Sequence, residues 1–160
     1  TRQPYVATHD RLVVSPESSR KILKEFIEGA TKHLLIYDAK ISERVMLKAL
    51  QARVKDGVDV RVLGKVAKSA AGLDARKLPG RRLHVRGMVR DGSAAFVGSQ
   101  SLRKLELDGR REVGVIVSDA AIAKRLQDLF EADWEKTLSK AEAKAVAENG
   151  KAEKVEVSFA

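Results

Sequence analysis

The sequence contains no cysteine, few aromatic residues and no long apolar run, and each absence excludes a class of protein. Without cysteine, the 160-residue chain has no disulfide, no thiol chemistry and no cysteine-ligated zinc. Aromatic residues make up 4% of the chain, which gives little support for a surface that stacks nucleobases. No apolar stretch approaches the length of a transmembrane helix, and the first residues lack the apolar core of a secretory signal. These absences leave the compartment unknown and favour a cytoplasmic protein or one peripheral to a membrane.

Positive charge is what the sequence has in excess, and it is concentrated in the middle third of the chain. The sequence carries 31 Lys and Arg against 22 Asp and Glu, a net charge of +9. Residues 61–111 hold 13 of the basic residues and 4 of the acidic ones, so this third accounts for the whole excess. Such a balance favours an anionic partner, which is nucleic acid, anionic lipid or a phosphorylated substrate. An ordinary solvated surface is the alternative for any one of these residues.

Apolar periodicity predicts one α/β domain over residues 11–136. Apolar runs with the length and alternation of strands occur at 12–14, 34–37, 58–62, 83–89, 94–98 and 113–117. Segments 16–29, 42–57 and 119–134 repeat apolar residues at helical spacing, with Ser15, Ser42 and Asp119 as expected N-caps. Residues 64–80 are expected to form a basic loop. Strands that alternate with helices predict a mixed β-sheet flanked by helices on both faces. Residues 1–10 are a lead-in, and 137–160 form a charged helical or loose C-terminal extension.

The residues that carry chemistry are grouped around a predicted β-hairpin. Side chains two apart in a strand share a face, so His84 and Arg86 project together, as do Ser99 and Ser101 on the returning strand. Asp91-Gly92 is typical of a two-residue hairpin turn, which places His84 directly opposite Ser99. Such a patch suits a phosphodiester, because Arg presents a fork of donors to phosphate oxygens and neutral His attacks phosphorus or moves a proton near pH 7. A strand-edge histidine beside a surface arginine is the alternative.

The spacing of these residues resembles the signature of the phospholipase D superfamily. That signature runs His, one residue, Lys, four residues, Asp, six residues, Gly-Ser, one residue, Asn, and here His84, Asp91, Gly98 and Ser99 occupy its positions. Residues 102–103 and 111–115 are similar to the segment that follows it, and 12–63 to the usual front half of such a domain. The chain most resembles the second domain of two-domain, cardiolipin-synthase-like members. The resemblance covers about four-fifths of the chain and implies an α/β/α sandwich in which Asp91 and Gly98 are structural parts of the motif.

The same resemblance implies a role for each site residue. His84 would attack phosphorus and form a phosphohistidine, with Glu112 orienting its ring. Arg86, Ser99 and Ser101 would hold the phosphate oxygens. The family's reaction uses no metal and no cofactor, and it takes a second histidine from a second copy of the motif as the general acid for the leaving group.

Two positions depart from the signature, and the second motif is missing. The motif Lys is Arg86, whose planar fork keeps the charge and changes the geometry, and the motif Asn is Ser101, which is shorter and has no amide. Losing a well-aimed donor costs roughly 10²–10³ in rate. His9 and His33 lack the motif's neighbours, and His33 is expected to start a buried strand. A complete site therefore needs either a second half in the same polypeptide or a homodimer partner, and the start at Thr1 favours a piece of a longer protein.

These observations leave two functions as alternatives. The first is phosphodiester hydrolysis or phosphatidyl transfer through a phosphohistidine on His84, as half of a two-motif site. The second is a catalytically impaired domain that binds phosphate groups of lipid or nucleic acid. The expected partners are a phosphodiester substrate, which is a phospholipid or a nucleic acid, the second half of the site, and an anionic membrane surface against the basic loop 64–82.

Overall fold

The computed structural model describes residues 11–159, with side chains described for 11–139 and 141–151. The strands are Arg11–Ser15 (β1), His33–Ile41 (β2), Asp59–Val66 (β3), Asp74–Arg76 (β4), Arg86–Arg90 (β5), Ala94–Gly98 (β6) and Glu112–Val117 (β7). These seven strands form one sheet in the order β1-β7-β6-β5-β2-β3-β4. A π-helical turn at Leu105–Gly109 precedes β7. The helices are Ser19–Glu28 (α1), Arg44–Lys55 (α2), Ala120–Glu135 (α3) and Lys140–Phe159 (α4).

The sheet is mixed and is covered on both faces, as the sequence predicts. β2, β3 and β4 run parallel, whereas β2, β5, β6, β7 and β1 pair antiparallel in turn. One apolar cluster joins α1 and α2 to one face, through residues such as Leu23, Leu50 and Ile36. A second cluster, with Tyr37 and Phe130, joins α3 to the other face. Each such side chain contributes about 1.5–3 kcal/mol through burial, so the two clusters stabilise the three layers together.

Helix starts agree with the prediction at α3 and differ at the other two helices. The Asp119 carboxylate accepts from the N–H groups of residues 121 and 122, which confirms it as the N-cap of α3. The predicted start of α1 at residue 16 is wrong, because Ser15 stays paired with Glu112 in the sheet and residues 16–18 form a turn. The cap of α2 is Glu43 and not Ser42, since the Glu43 carboxylate accepts from the N–H of residue 46.

The segment predicted as a basic loop contains regular structure. β3 continues to Val66, and residues 74–76 form the short edge strand β4, which pairs parallel with β3. Three residues are too few to show an apolar alternation, so the sequence gives no signal for this strand. Beyond α3, the expected extension is the helix α4, while the lead-in at 1–10 lies outside the described residues. None of the helices described is long and apolar enough to cross a membrane.

The hairpin between β5 and β6 has a three-residue loop, which corrects the predicted register. Arg86 pairs with Gly98, so the loop comprises residues 91–93. The predicted pairing of His84 with Ser99 is wrong, because β5 begins at Arg86 and β6 ends at Gly98. His84 therefore lies in the extended segment that leads into the sheet.

Tertiary contacts of Asp91 explain the longer loop. Asp91 has a φ of 53°, and its carboxylate accepts from the N–H groups of Thr31, Lys32 and His33 where β2 begins. Partial burial raises the pKa of Asp91, but these hydrogen bonds outweigh it and hold that pKa below its usual range. The carboxylate thus ties the hairpin loop to the neighbouring strand, at the end of β5 opposite His84.

Candidate active site

The sheet topology brings the ends of four strands to one edge. β5 and β7 start at this edge with Arg86 and Glu112, whereas β6 ends there with Gly98. β2 runs antiparallel to β5, so Asp38, near the end of β2, reaches the same edge. Residues that are far apart in the sequence therefore surround the segment that holds His84.

A cleft of about 300 Å³ opens at this edge and gathers most of the predicted site residues. Its walls are formed by His84, Arg86, Gly98, Ser99, Arg110 and Glu112. His84 is exposed and also lies on the wall of a second cavity, of about 310 Å³, on the side of α3. The imidazole is therefore accessible to a ligand that enters from either cavity.

The Arg86 guanidinium is fixed from behind by two hydrogen bonds. Its Nε donates to the hydroxyl of Ser101 at 3.0 Å, and its Nη1 donates to the backbone carbonyl of His84. Within the described part of the chain, no hydrogen bond or ion pair uses its Nη2. Ser101 is fully buried and is not among the cleft-lining residues, so it contacts the guanidinium and not the open cavity. The two residues that depart from the signature are thus direct neighbours.

Asp38 is a buried carboxylate behind Arg86 that sequence reasoning missed. It is 2% exposed, and it accepts from the N–H groups of Leu102 at 2.8 Å and Lys40 at 3.0 Å and from the hydroxyl of Ser101. Burial raises the pKa of Asp38 to about 6, against the lowering effect of these hydrogen bonds and of the charge on Arg86. The signal in the sequence was an acid directly after the continuous apolar run of a buried strand.

Glu112 forms the other wall of the cleft as an ionised carboxylate. Arg110 donates to it through Nε at 3.0 Å and Nη2 at 2.8 Å. Burial raises the pKa of Glu112, but hydrogen bonds from Ser99 and Arg110 outweigh it and hold that pKa below its usual range. Among the residues described, Glu112 and His84 share no hydrogen bond. The Ser99 hydroxyl is fixed further by Val113, whose N–H donates to it at 3.1 Å.

A buried acid next to this wall also escaped sequence reasoning. Glu106, in the π-helical turn, is 1% exposed and pairs with Arg103 and, at 3.6 Å, with Arg110. Its carboxylate therefore helps to hold Arg110 against Glu112. Nothing in the local sequence distinguishes Glu106 from the exposed acid at position 108.

The other histidines lie away from the cleft or outside the described residues. His33 is the first residue of β2, at the edge of the sheet opposite the cleft, and its Nε2 is buried without a hydrogen-bond partner. This agrees with the predicted buried strand start, whereas His9 lies in the undescribed segment 1–10. In the part of the chain that the structure describes, no group of three or more His, Asp or Glu is placed to hold a metal ion.

The three-layer fold and the cleft at the ends of its central strands define a domain of the phospholipase D superfamily, which confirms the resemblance drawn from the sequence. The profile of one family, described as "Cardiolipin synthase, PLD-like domain", matches residues 23–134. The chain belongs to this family. No curated protein matches the sequence significantly.

Solved structures with the same fold are similar over most of the chain. Nuc from Salmonella typhimurium, a phospholipase D family member, has a TM-score of 0.72 and 18% identity over 81% of this chain and 96% of its own. NucT from Helicobacter pylori has a TM-score of 0.71 and 15% identity, over 81% and 98%. Phosphatidylserine synthase from Haemophilus influenzae Rd KW20 has a TM-score of 0.63 and 13% identity, over 81% and 39%. At these identities the similarity establishes the fold alone.

Proposed function

We propose that this domain binds a phosphodiester in the cleft and, when two such halves meet, cleaves it through a phosphohistidine on His84. The observation that carries the proposal is the single cleft shared by His84, Arg86, Ser99 and Glu112. Arg86 offers its unused Nη2 to a phosphate oxygen, and the Ser99 hydroxyl, which donates to the Val113 carbonyl at 3.3 Å, turns its proton to a second phosphate oxygen when the ligand enters. The phosphate is thereby held beside an accessible imidazole, which is the arrangement that in-line attack requires.

The reaction proceeds in two displacements with balanced atoms. A neutral imidazole nitrogen of His84 bonds to phosphorus while the bond from phosphorus to the leaving oxygen breaks, and that oxygen takes a proton from the histidine of the second half. Water then attacks the phosphohistidine, gives its proton to the second histidine, and releases His84 and a phosphomonoester. An alcohol in place of water gives phosphatidyl transfer. The negative charge of Glu112 stabilises the positive charge that the His84 ring gains when its nitrogen bonds to phosphorus, which makes Glu112 an electrostatic partner of His84 in this proposal.

In this proposal, Ser101 and Asp38 act through Arg86. Ser101 accepts the hydrogen bond from Arg86 Nε and donates its own hydrogen bond to the buried Asp38 carboxylate. We assign Ser101 a positioning role behind the guanidinium, in place of direct contact with phosphate. Gly98 and Asp91 stay structural, since one lies in the strand pairing and the other ties down the hairpin loop.

The same geometry favours a second candidate function, phosphate binding without turnover. Two of the donor groups of Arg86 are already engaged by Ser101 and by the His84 carbonyl, which holds the guanidinium rigidly. With these groups occupied, Arg86 has fewer donors left for the charge that develops on the phosphate oxygens in the transition state, whereas its free Nη2 suffices to hold a ground-state phosphate. In this alternative, the domain holds phosphate groups of a lipid or a nucleic acid and releases them unchanged.

An uncovered apolar area next to the cleft supports a second copy of this domain as the partner. Its side chains are Leu12, Val97, Val113 and Val115, which are 65%, 43%, 50% and 38% exposed. They lie on the face that carries α3, on β1, on β7 and on the part of β6 beyond Ala95, which itself packs under α3. The area adjoins the cleft, because the backbone of Val113 holds Ser99. A copy docked here would bring its own His84 towards the first.

Hydrolysis of bis(4-nitrophenyl) phosphate by the full chain tests the proposal, with the mass of each sample measured by light scattering. We expect His84→Ala to abolish turnover, while the matched control His33→Ala, at the opposite edge, keeps it. If the chain is inactive, activity gained in an Arg86→Lys, Ser101→Asn variant and lost again with His84→Ala supports a catalytic frame limited by those two residues. Turnover that persists in His84→Ala would refute the phosphohistidine. Inactivity of every variant, with phosphate binding retained, supports the second candidate function.

The partner proposal has its own test in sedimentation. We expect Val113→Lys to shift the chain towards the monomer and to lower activity per subunit, because a buried lysine in an apolar interface is costly. Val45→Lys, at an exposed valine on α2 on the other face, is the matched control and should leave the mass unchanged. Equal masses for wild type and both variants would remove this area as the dimer surface.

A further inference from the structure

Four basic side chains line a cavity beside the cleft that the proposed chemistry does not use. The cavity has a volume of about 290 Å³, and its charged walls are Lys65, Lys77, Arg81 and Arg82. We call these four residues the basic pocket. Lys65 lies near the end of β3 and the other three follow β4, so the basic pocket is at the same edge of the sheet as the cleft. Its neutral walls include Ala39, which directly follows the buried Asp38.

The basic pocket is not neutralised by neighbouring acids. Within residues 11–139 and 141–151, no ion pair or side-chain hydrogen bond involves any of its four cations. The cations on the other side of the cleft differ, since Arg110 pairs with Glu112, Arg103 with Glu106 and Arg111 with Glu17. The unpaired positive charge is therefore concentrated on one side of His84, where four like charges repel one another until an anion enters.

The basic pocket is continuous with the position of the proposed nucleophile. Arg81 and Arg82 also line the neighbouring cavity of about 310 Å³, and His84 lies on the wall of that cavity. The acid in that wall, Asp133, already accepts the Tyr37 hydroxyl at 2.6 Å. A groove with cationic walls thus leads from the basic pocket to His84 and on to the cleft with Arg86.

The charge and shape of this groove discriminate between kinds of phosphodiester. A phospholipid with one phosphodiester places its glycerol and acyl chains beyond the scissile phosphate, where apolar walls would receive them. Cations at that position contribute binding energy when the substrate carries a further phosphate there. A concave groove also suits a linear polyanion better than the flat headgroup layer of a membrane.

We propose that the basic pocket is a second phosphate subsite, which binds the phosphate next to the scissile one in a single-stranded nucleic acid. This inference rests on the proposed phosphodiester site and adds the substrate class to it. Recognition is directed at the backbone and is independent of base sequence, in agreement with the few aromatic residues.

The test is equilibrium binding of the full chain to fluorescent oligonucleotides of about 12 nucleotides, a length typical of single-strand binding grooves. One oligonucleotide carries phosphodiesters throughout. The other has a single central phosphodiester between neutral methylphosphonate links. Binding is measured in the His84→Ala background, so that no turnover interferes. The variant Arg81→Gln, Arg82→Gln is compared with Lys32→Gln, Lys55→Gln, which removes the same charge at the opposite edge of the sheet.

We expect the chain to prefer the fully charged oligonucleotide and the Arg81, Arg82 variant to lose that preference. Loss of the contact with this one phosphate should lower the slope of log affinity against log salt by about 0.7 for a single strand, and affinity by about tenfold at low salt. The Lys32, Lys55 control should keep the preference. Oligonucleotide binding and hydrolysis of bis(4-nitrophenyl) phosphate can fail independently, because the small diester needs only the cleft and not the basic pocket.

Two results would overturn the subsite. One is equal binding of the two oligonucleotides by the wild-type background, even if the small diester is hydrolysed, in which case the proposed function survives alone. The other is binding to vesicles of phosphatidylglycerol and phosphatidylcholine that falls with Arg81→Gln, Arg82→Gln while oligonucleotide affinity stays unchanged. That outcome would assign the basic pocket to a membrane surface.

Discussion

Neutralising the buried carboxylate behind Arg86 should change how the stability of this domain depends on pH. Asp38 is almost fully buried, and its pKa rises from the ordinary 3.8 to about 6. Between these values the folded chain holds a proton at Asp38 that the unfolded chain has released. The contribution of this group to stability is therefore fully present below pH 3.8 and is lost as the pH rises through about 6.

The size of this effect follows from the same two values. Each unit of pKa difference corresponds to about 1.36 kcal/mol, so the difference at Asp38 corresponds to about 3 kcal/mol. Asp38→Asn removes the titration and keeps a side chain of the same shape. Its altered hydrogen bonds to Leu102, Lys40 and Ser101 add an offset that does not vary with pH. We expect wild type to lose about 3 kcal/mol relative to Asp38→Asn between acidic and neutral pH.

Urea unfolding of both proteins below pH 3.8 and at neutral pH measures this difference. Asp108→Asn is the control, because the hydrogen bond from Arg20 lowers the pKa of Asp108. Wild type should therefore gain stability relative to Asp108→Asn as the pH rises, which is the opposite of its change relative to Asp38→Asn. Carboxylates that are common to wild type and variant cancel in the comparison. A free-energy difference between wild type and Asp38→Asn that is the same at every pH would refute the reasoning.

Two further predictions concern the neighbours of the cleft. Ser101→Asn alone should lower the free energy of unfolding by about 1–3 kcal/mol, because the larger side chain overfills a fully buried site. Arg86→Lys makes room for the asparagine. A double-mutant cycle measured by urea unfolding should therefore show a favourable coupling of about 0.5–3 kcal/mol between the two substitutions. Strict additivity would contradict direct packing of the two side chains. Gly98→Ala should cost more than about 2 kcal/mol, since an added Cβ would lie 2.5 Å from Gln100 Oε1 and 2.7 Å from Gly114 Cα. An unchanged urea midpoint for Gly98→Ala would contradict the close approach of the strands.

The parts of the site that the sequence could predict are those encoded by local spacing. His84 and Arg86 are two residues apart on the way into one strand, and they line the same cleft as Ser99 even though the predicted register was wrong by one residue. The three residues still share the cleft because Arg86 and Gly98 are paired and Ser99 directly follows. Motif spacing therefore located the cleft although the turn type was misjudged.

The parts that the sequence could not predict depend on contacts between distant segments. Asp38 reaches Ser101 because the segment after β6 packs against the end of β2, where the N–H of Leu102 donates to Asp38, although the two segments are far apart in the chain. The hairpin loop is set by hydrogen bonds from residues 31–33 to Asp91, which a rule for turns based on two residues does not include. Glu106 is a charged residue that can be buried because it forms an ion pair with Arg103, and this pairing is not visible in the local sequence. In each case the position of the residue depends on a contact that the local sequence pattern does not contain.

The glycine of the motif has a consequence for how such chains evolve. Gly98 lies opposite Gly114, and the carbonyl oxygen of the buried Gln100 side chain packs against both α-carbons, so neither position has space for a larger residue. A domain with this fold but without catalytic activity would face the same selection to keep Gly98 as an active one, because the pairing of the strands needs it. The glycine therefore records inheritance of the fold, and evidence for retained chemistry has to come from the histidine and its donors.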